Sequence, residues 1–281
     1  MDRNFKGKTV VITGGSEGVG AATARKFATL GANLVLVARN KKNLDLIAAE
    51  LRPQTKVMTV PMDVNDAVAS MNLFKKAQFE FGGIHVLVNN AGYHKRGKVE
   101  TVPPEELGRI IDVNLRAPIL LCRYALPYLR EAGSAAIINV ASLAGRLPVA
   151  GAATYSASKF GLRAFTFALA EELAGSGIKL AAVSPGPIDT GFIMSNIDDV
   201  ADVTFSQPLS TADEVADVII ELCCNDKRER SMPPVSGLLT TTGYLLPKFM
   251  KLLRPLMIKK GQRVKAKLKA QLRAKGSNKN Q

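Results

Sequence analysis

Tyr155 and Lys159 stand four residues apart at the head of an apolar, Ala-rich run, Ala153-Thr154-Tyr155-Ser156-Ala157-Ser158-Lys159-Phe160-Gly161, that reads as a helix. Four residues is about one helical turn, so the phenol and the ammonium share a face. A free phenol, with a pKa near ~10, is a poor proton donor or acceptor at neutral pH. A neighbouring ammonium stabilises the phenolate and lowers that pKa. A tyrosine tuned in this way passes a proton to or from an oxygen while a hydride moves. With five tyrosines and many lysines in the chain, one such pair also arises by chance. The pair gains meaning only if a nucleotide site lies upstream.

The elements that would position such a site come in order. Lys8 to Thr13 is a short β-branched run of the kind a buried parallel strand requires. It leads into Thr13-Gly14-Gly15-Ser16-Glu17-Gly18-Val19-Gly20 and then a helical pattern from Ala21 to Leu30. Strand, glycine-rich turn and helix form a phosphate cradle: glycines let a pyrophosphate approach the backbone, and the helix N-terminus supplies N–H donors. The second strand, Asn33 to Ala38, ends at Arg39, followed by Asn40, Lys41 and Lys42. An acid at this point binds the ribose hydroxyl of NAD, whereas Arg accommodates the extra phosphate of NADP. Arg39 therefore argues for NADP, and Glu17 in the glycine turn argues the other way.

Further strands read at Lys56 to Pro61, Ile84 to Asn89, Ala135 to Val140 and Lys179 to Val183, with a helix from Asn65 to Phe81 and a helical stretch around Asn114. This βαβ alternation predicts a doubly wound, parallel, Rossmann-like α/β sheet with helices on both faces. Ligands in such sheets lie beyond the C-terminal strand ends. Gly14, Arg39, Asp63, Asn89, Ser142 and Pro185 fall at those ends.

At this point the chain resembles the short-chain dehydrogenase/reductase family, over roughly Lys6 to Glu221. The resemblance rests on T-G-x-x-x-G-x-G at Thr13 to Gly20, N-N-A-G at Asn89 to Gly92, Asn114, Ser142, Y-x-x-x-K at Tyr155 to Lys159, and P-G-x-x-x-T at Pro185 to Thr190. It implies Tyr155 as general acid in carbonyl reduction and base in alcohol oxidation. Lys159 would hold the nicotinamide ribose and lower the Tyr155 pKa. Ser142 would polarise the substrate carbonyl, and Asn114 would hold a water in a proton relay. Thr13, Gly14, Ser16, Gly18, Val19 and Gly20 would form the pyrophosphate turn. Asp63 and Val64 would contact the adenine, and Asn90, Ala91 and Gly92 the adenosine side. Pro185, Gly186, Ile188 and Thr190 would hold the carboxamide end. The resemblance also implies a homodimer or homotetramer. No metal is expected; His85 sits in a strand pattern, and His94 is a candidate for the substrate mouth.

The formal charge of +14 is unevenly placed. Lys248 to Gln281 holds 12 Lys plus Arg and no acid, which leaves the preceding residues at +2. Cys122, Cys223 and Cys224 have neither metal-ligand nor disulfide-framework spacing, and Met1 to Lys8 has no apolar signal core. No apolar run reaches the ~20 residues that span a bilayer. A cytoplasmic protein is the expectation, with a peripheral membrane contact as a further option. Residues 1–235 read as the dinucleotide-binding catalytic domain and 236–281 as a helical, basic extension, with a last strand at Ser231 to Val235.

Between them, Phe192 to Leu209 is long and apolar enough for a lid over a hydrophobic substrate. Thr211-Ala212-Asp213-Glu214 opens the helix running to Cys224 as a capping box. In the extension, Phe249, Leu252, Leu253 and Leu256 keep helical spacing, Pro255 should kink or break the helix, and Val264, Leu268 and Leu272 form a second pattern after Gly261. Three fates stay open for this segment: binding an anionic membrane surface through residues 244–275, packing on the body or a partner near the site, or a solvated end. Nucleic acid is not expected, because the basic part lacks interleaved aromatics. The extension is similar to that of family members acting on lipid-like ketones, including 3-ketosphinganine and steroid reductases. The leading expectation is NADPH-dependent reduction of a hydrophobic ketone, a keto-lipid or 3-ketoacyl group, with NAD as a possible alternative cofactor. The alternatives are an NAD(P)-dependent dehydrogenase of a small secondary alcohol, or a non-catalytic NADP-binding membrane or regulatory protein.

Overall fold

Apolar runs without polar alternation need cover on both faces, and here they form one seven-stranded parallel sheet between helical layers. In this computed structural model, which describes residues 4–194 and 197–277, the strands are β1 (Thr9–Thr13), β2 (Asn33–Ala38), β3 (Val57–Pro61), β4 (Val86–Asn89), β5 (Ala135–Val140), β6 (Ile178–Pro185) and β7 (Glu229–Met232). Their order is β3-β2-β1-β4-β5-β6-β7. The winding reverses between β1 and β4, where Val10 to Ile12 pair with Val86 to Val88, so the loops after these two strands part and leave a crevice.

Successive side chains on each strand point to opposite faces, and each face has its own core. Val10, Ile12, Leu34 and Leu36 pack under α1 (Gly18–Thr29), α2 (Lys41–Leu51) and α8 (Ala212–Cys224) through Phe27, Leu44 and Ile219. Val11, Val35, Val37 and Ile137 pack under α3 (Ala67–Phe81), α5 (Ala117–Glu131) and α6 (Ala153–Glu172) through Phe74, Leu121 and Leu169. The remaining helices are α4 (Pro104–Ile111), the single turn α7 (Gly191–Met194), α9 (Pro234–Leu245) and α10 (Pro247–Ser277). The capping box at Thr211 is present: its side chain accepts from Glu214 N, and Glu214 accepts from Thr211 N.

The C-terminal part departs from expectation in three ways. The last strand lies at Glu229–Met232 rather than Ser231 to Val235, because Pro234 occupies the first turn of α9, where proline's missing N–H is harmless. Pro255 does not end the helix: α10 runs through it and through Gly261. Pro255 is exposed, so the carbonyl it leaves free faces water, while packing on the lid holds the helix together. The inward face also differs. Leu252 and Leu256 are 75% and 68% exposed. Val264 and Leu268 instead pack against Ile193, Ile197, Val200 and Phe205 of the lid. Lys265 donates to the carbonyls of Asp198 at 3.1 Å and Val200 at 2.7 Å. Gly261 permits this approach, since a Cβ there would fall 1.8 Å from Asp202 O. Of the three fates, packing on the body is the one seen for this inner face. Residues 1–3, 195–196 of the lid and 278–281 of the extension, with the side chains of Phe249 and Arg273, lie outside the described residues.

Candidate active site

The helix α6, which carries Tyr155 and Lys159, is fixed by a buried polar chain that crosses the sheet. Asn89 donates to Asn139 at 2.8 Å, Asn139 to Thr166 at 2.8 Å, and Thr166 to Leu162 O at 2.6 Å. This ties β4 and β5 to α6, although the buried Asn89 Oδ1 has no partner among the described residues. Gly145 lets α6 approach the turn after β5, because a Cβ there would lie 2.7 Å from Lys159 O. Tyr155 and Lys159 then project from the first two turns of α6 beside Ser142 at the end of β5, and all three line one cleft of about 1530 Å³.

The electrostatics of the phenol differ from the expected pairing. Burial pushes the Tyr155 pKa above its ordinary value, while Ser142 and the Arg96 guanidinium pull it back. Tyr155 keeps some surface open to the cleft, but its phenol is hemmed in by protein. The Lys159 ammonium lies 5.8 Å from the Tyr155 ring centroid and donates to Val140 O at 2.8 Å, reaching across to the last residue of β5. Burial brings the Lys159 pKa down to about 8. The Ser142 hydroxyl donates to Pro185 O at 3.5 Å and accepts from Ala144 N at 3.1 Å, which aims its oxygen into the cleft mouth of β5.

Two site residues carry no sequence motif. His94 stacks on Tyr155 with ring centroids 4.3 Å apart and planes 22° from parallel. Its pKa falls to about 3 through burial, Arg96 and Lys159, so it is neutral at working pH. Its buried Nδ1 has no partner among the described residues. Arg96 is half-buried, lies over the Phe192 ring at 5.9 Å, and makes no hydrogen bond or ion pair among the described residues. Burial lowers its pKa, and Tyr155 and Asp199 oppose that. His94, the candidate for the substrate mouth, lines the cleft against the Tyr155 ring. His85 is structural: its Nδ1 accepts from Thr9 N at 3.1 Å.

Asn114 is fully buried in a π-helical turn, Asp112–Arg116, a geometry frequent at functional sites. Its side-chain amide does not reach the cleft. Oδ1 accepts from Tyr93 N at 2.8 Å, and Nδ2 donates to Tyr93 O at 2.7 Å and Ser158 Oγ at 3.3 Å. Ser158 in turn donates to Tyr155 O at 2.7 Å. Through this amide the β4 loop, with His94 and Arg96, is clamped to α6.

The nucleotide half of the cleft fits a dinucleotide. Gly14 (φ +66°) turns the chain out of β1, and a Cβ at Gly20 would lie 2.0 Å from Gly14 O, so the turn closes only with glycine. Glu17 caps α1 with no side-chain bond, which leaves the first-turn N–H groups facing the cleft for a pyrophosphate. Gly14, Ser16, Gly18, Val19, Arg39, Asp63, Val64, Asn90, Ala91, Gly92, Pro185, Gly186, Ile188 and Thr190 all line it. Thr13 and Gly20 do not. The Thr13 hydroxyl accepts from Asn90 N and Ala91 N, each at 3.0 Å, and joins the β1 and β4 loops from beneath. Arg39 is exposed at the rim and has no ion pair among the described residues.

Lid and extension wall the other half. Leu143, Leu147, Val149, Phe192, Ile193 and Val203 line it with Met250 and Met257 of α10, and Lys251, Arg254 and Lys265 stand at its edge. No group of three or more potential metal ligands exists among the described residues.

The chain is similar in sequence to known proteins. A family model described as short chain dehydrogenase matches residues 8–201. An uncharacterized oxidoreductase of Staphylococcus epidermidis is 37% identical over 185 residues, 66% of this chain and 80% of that protein. An uncharacterized oxidoreductase of Staphylococcus aureus is 36% identical over 183 residues, 65% of this chain and 79% of that protein. The matched span carries the glycine turn, Ser142, Tyr155 and Lys159 on the strand ends and helix where the cleft needs them, and the chain accordingly belongs to the short-chain dehydrogenase family of NAD(P)-dependent oxidoreductases.

Proposed function

We propose that this protein is an NADPH-dependent reductase of a hydrophobic ketone. The observation that carries the reading is the continuity of one cleft from Arg39 and the glycine turn, past Ser142 and Tyr155, to an apolar chamber walled by the lid and α10. NADPH, when bound, would supply the hydride. Arg39, exposed and without a carboxylate partner among the described residues, favours an extra phosphate on the adenosine ribose.

The chain's own groups supply position and a proton. Tyr155 donates its phenolic proton to the carbonyl oxygen as negative charge develops there. Ser142 donates to that oxygen and fixes the carbonyl against the phenol. Arg96 stabilises the phenolate that remains, against the opposing charge of nearby Asp199. Lys159, held by Val140 O, is placed to bond the nicotinamide ribose and to return a proton towards Tyr155. Met250, Met257, Ile193 and Val203 exclude water from the reacting carbonyl and receive an apolar chain.

The test is the initial rate of NADPH oxidation over 3-keto esters and thioesters of increasing acyl length. A rise in kcat/KM with each methylene is expected; about 0.8 kcal/mol, or roughly fourfold, is available per buried methylene. A flat or falling series overturns the hydrophobic-ketone reading and favours a compact secondary alcohol as substrate.

A further inference from the structure

We infer that the corner formed by α9 and the first half of α10 is a docking surface for an anionic lipid bilayer. Burial divides α10 into two faces. Val264 and Leu268 serve the inner face against the lid, and the inner lysines are already paired: Lys265 with Asp202 at 3.3 Å, and Lys269 with Asp198. The outer face has no such partners. Lys248, Leu252, Leu256, Lys259 and Arg263 step by three or four residues along one side, and all five are exposed. At the joint before them, Tyr244, Leu245 and Leu246 are exposed as well, each more than half. Elsewhere on the described surface the exposed large apolar side chains form a smaller group, Val68, Met71 and Phe79 along α3, or stand singly.

Charge identifies the occupant. From Ser231 to Gln281 the chain contains no Asp or Glu. Lys248, Lys259 and Arg263 make no ion pair among the described residues. A second copy seated on the same face would set unpaired cations against unpaired cations. Anionic headgroups match them, and leucines between basic residues suit the headgroup boundary, where long basic side chains snorkel. No described helix is long and apolar enough to cross a membrane, so the contact is with the surface. Met250, Arg254 and Met257, one turn around the same helix, line the mouth of the cleft. The docked face therefore sets the opening of the chamber beside the lipid.

The inference is tested by co-sedimentation of the full chain with vesicles of phosphatidylcholine alone or with about one-third phosphatidylglycerol. Binding is expected only to the anionic vesicles and is weakened by salt. Replacing Lys248, Lys259 and Arg263 together by Gln should weaken it roughly a hundredfold, at about fivefold per basic residue. Leu252→Gln with Leu256→Gln should weaken it on the order of tenfold or more, through lost apolar burial. None of these five residues lines the cleft, so NADPH binding should be as in the wild type, which keeps this test separate from the reductase reading. The inference is overturned if the wild-type chain stays in the supernatant, if it binds neutral vesicles equally, or if the leucine variant pellets like the wild type. It is also overturned if the leucine variant instead lowers the particle mass in light scattering, since the face would then join two copies.

Discussion

A phenol enclosed by protein resists ionisation, and only groups inside the same enclosure can offset that. Ser142 and Arg96 do so for Tyr155. Tyr155→Phe should therefore abolish turnover, by a factor of about 10² to 10⁴, while NADPH still binds by fluorescence titration. Wild-type turnover in that variant would remove the phenol from the mechanism. Arg96→Ala tests the electrostatic role. Because Arg96 lowers the Tyr155 pKa, its loss raises it. Reduction needs the protonated phenol, so activity falls as pH rises through that pKa, and this limb should move to higher pH in the variant. An unmoved limb with a raised KM would make Arg96 a substrate contact alone. Tyr155, Lys159 and Ser142 were legible because helical spacing and a strand end fix their positions. Arg96 was not, and His94 was legible only as a candidate for the mouth and not as a partner of Tyr155, since their placement depends on how Asn114 clamps the β4 loop, a contact between residues 21 apart with no local pattern.

At the scale of elements, two joints hold the site's frame. Glu229 on β7 takes both Arg163 of α6, at 2.9 Å, and Arg146 of the turn after β5, at 2.5 Å, and accepts from Ser184 of β6 at 2.7 Å. Burial pushes its carboxyl up, but Arg163, Ser184 and Arg146 more than offset this and hold it below its ordinary value. A depressed folded pKa means that the stabilisation is present above the unfolded value and is lost as pH falls through the folded one. Glu229→Gln should lower stability by about 3 kcal/mol at neutral pH, because two half-buried arginines lose their anion. The gap between variant and wild type in urea melts should close in acid; a constant gap would assign the loss to packing. The second joint is Gly261. Gly261→Ala places a carbon against Asp202 O, so α10 must shift from the lid, and protease cleavage between Phe192 and Leu209 should quicken. The helices and strands of the body were legible from periodicity. The unbroken course of α10 was not, because Pro255 argues against it locally and only the lid, distant in sequence, supplies the compensating contact.

For the whole molecule, the doubly wound sheet gathers every functional loop at one edge, and the extension is laid across the half of that edge farthest from Arg39. The doubly wound parallel sheet was legible from βαβ alternation, but the strand order was not read; neither was the closing of the substrate half by a 31-residue helix, since an amphipathic basic segment is equally compatible with lipid, partner or solvent. The two halves of the cleft should separate experimentally. The glycine turn, Arg39 and Asp63 come from the ends of β1, β2 and β3, whereas Met250 and Met257 of α10 belong to the chamber. Ending the chain after Leu246 should leave NADPH affinity within about twofold, because distant sites act nearly additively. The same truncation should flatten the dependence of kcat/KM on acyl length, because one apolar wall is gone. It should also lower the melting temperature, since Ile197 and Phe205 lose their cover. A parallel loss of NADPH affinity and chain-length selectivity would mean instead that α10 supports the whole cleft, and the division into a nucleotide half and a tail-walled substrate half would fall.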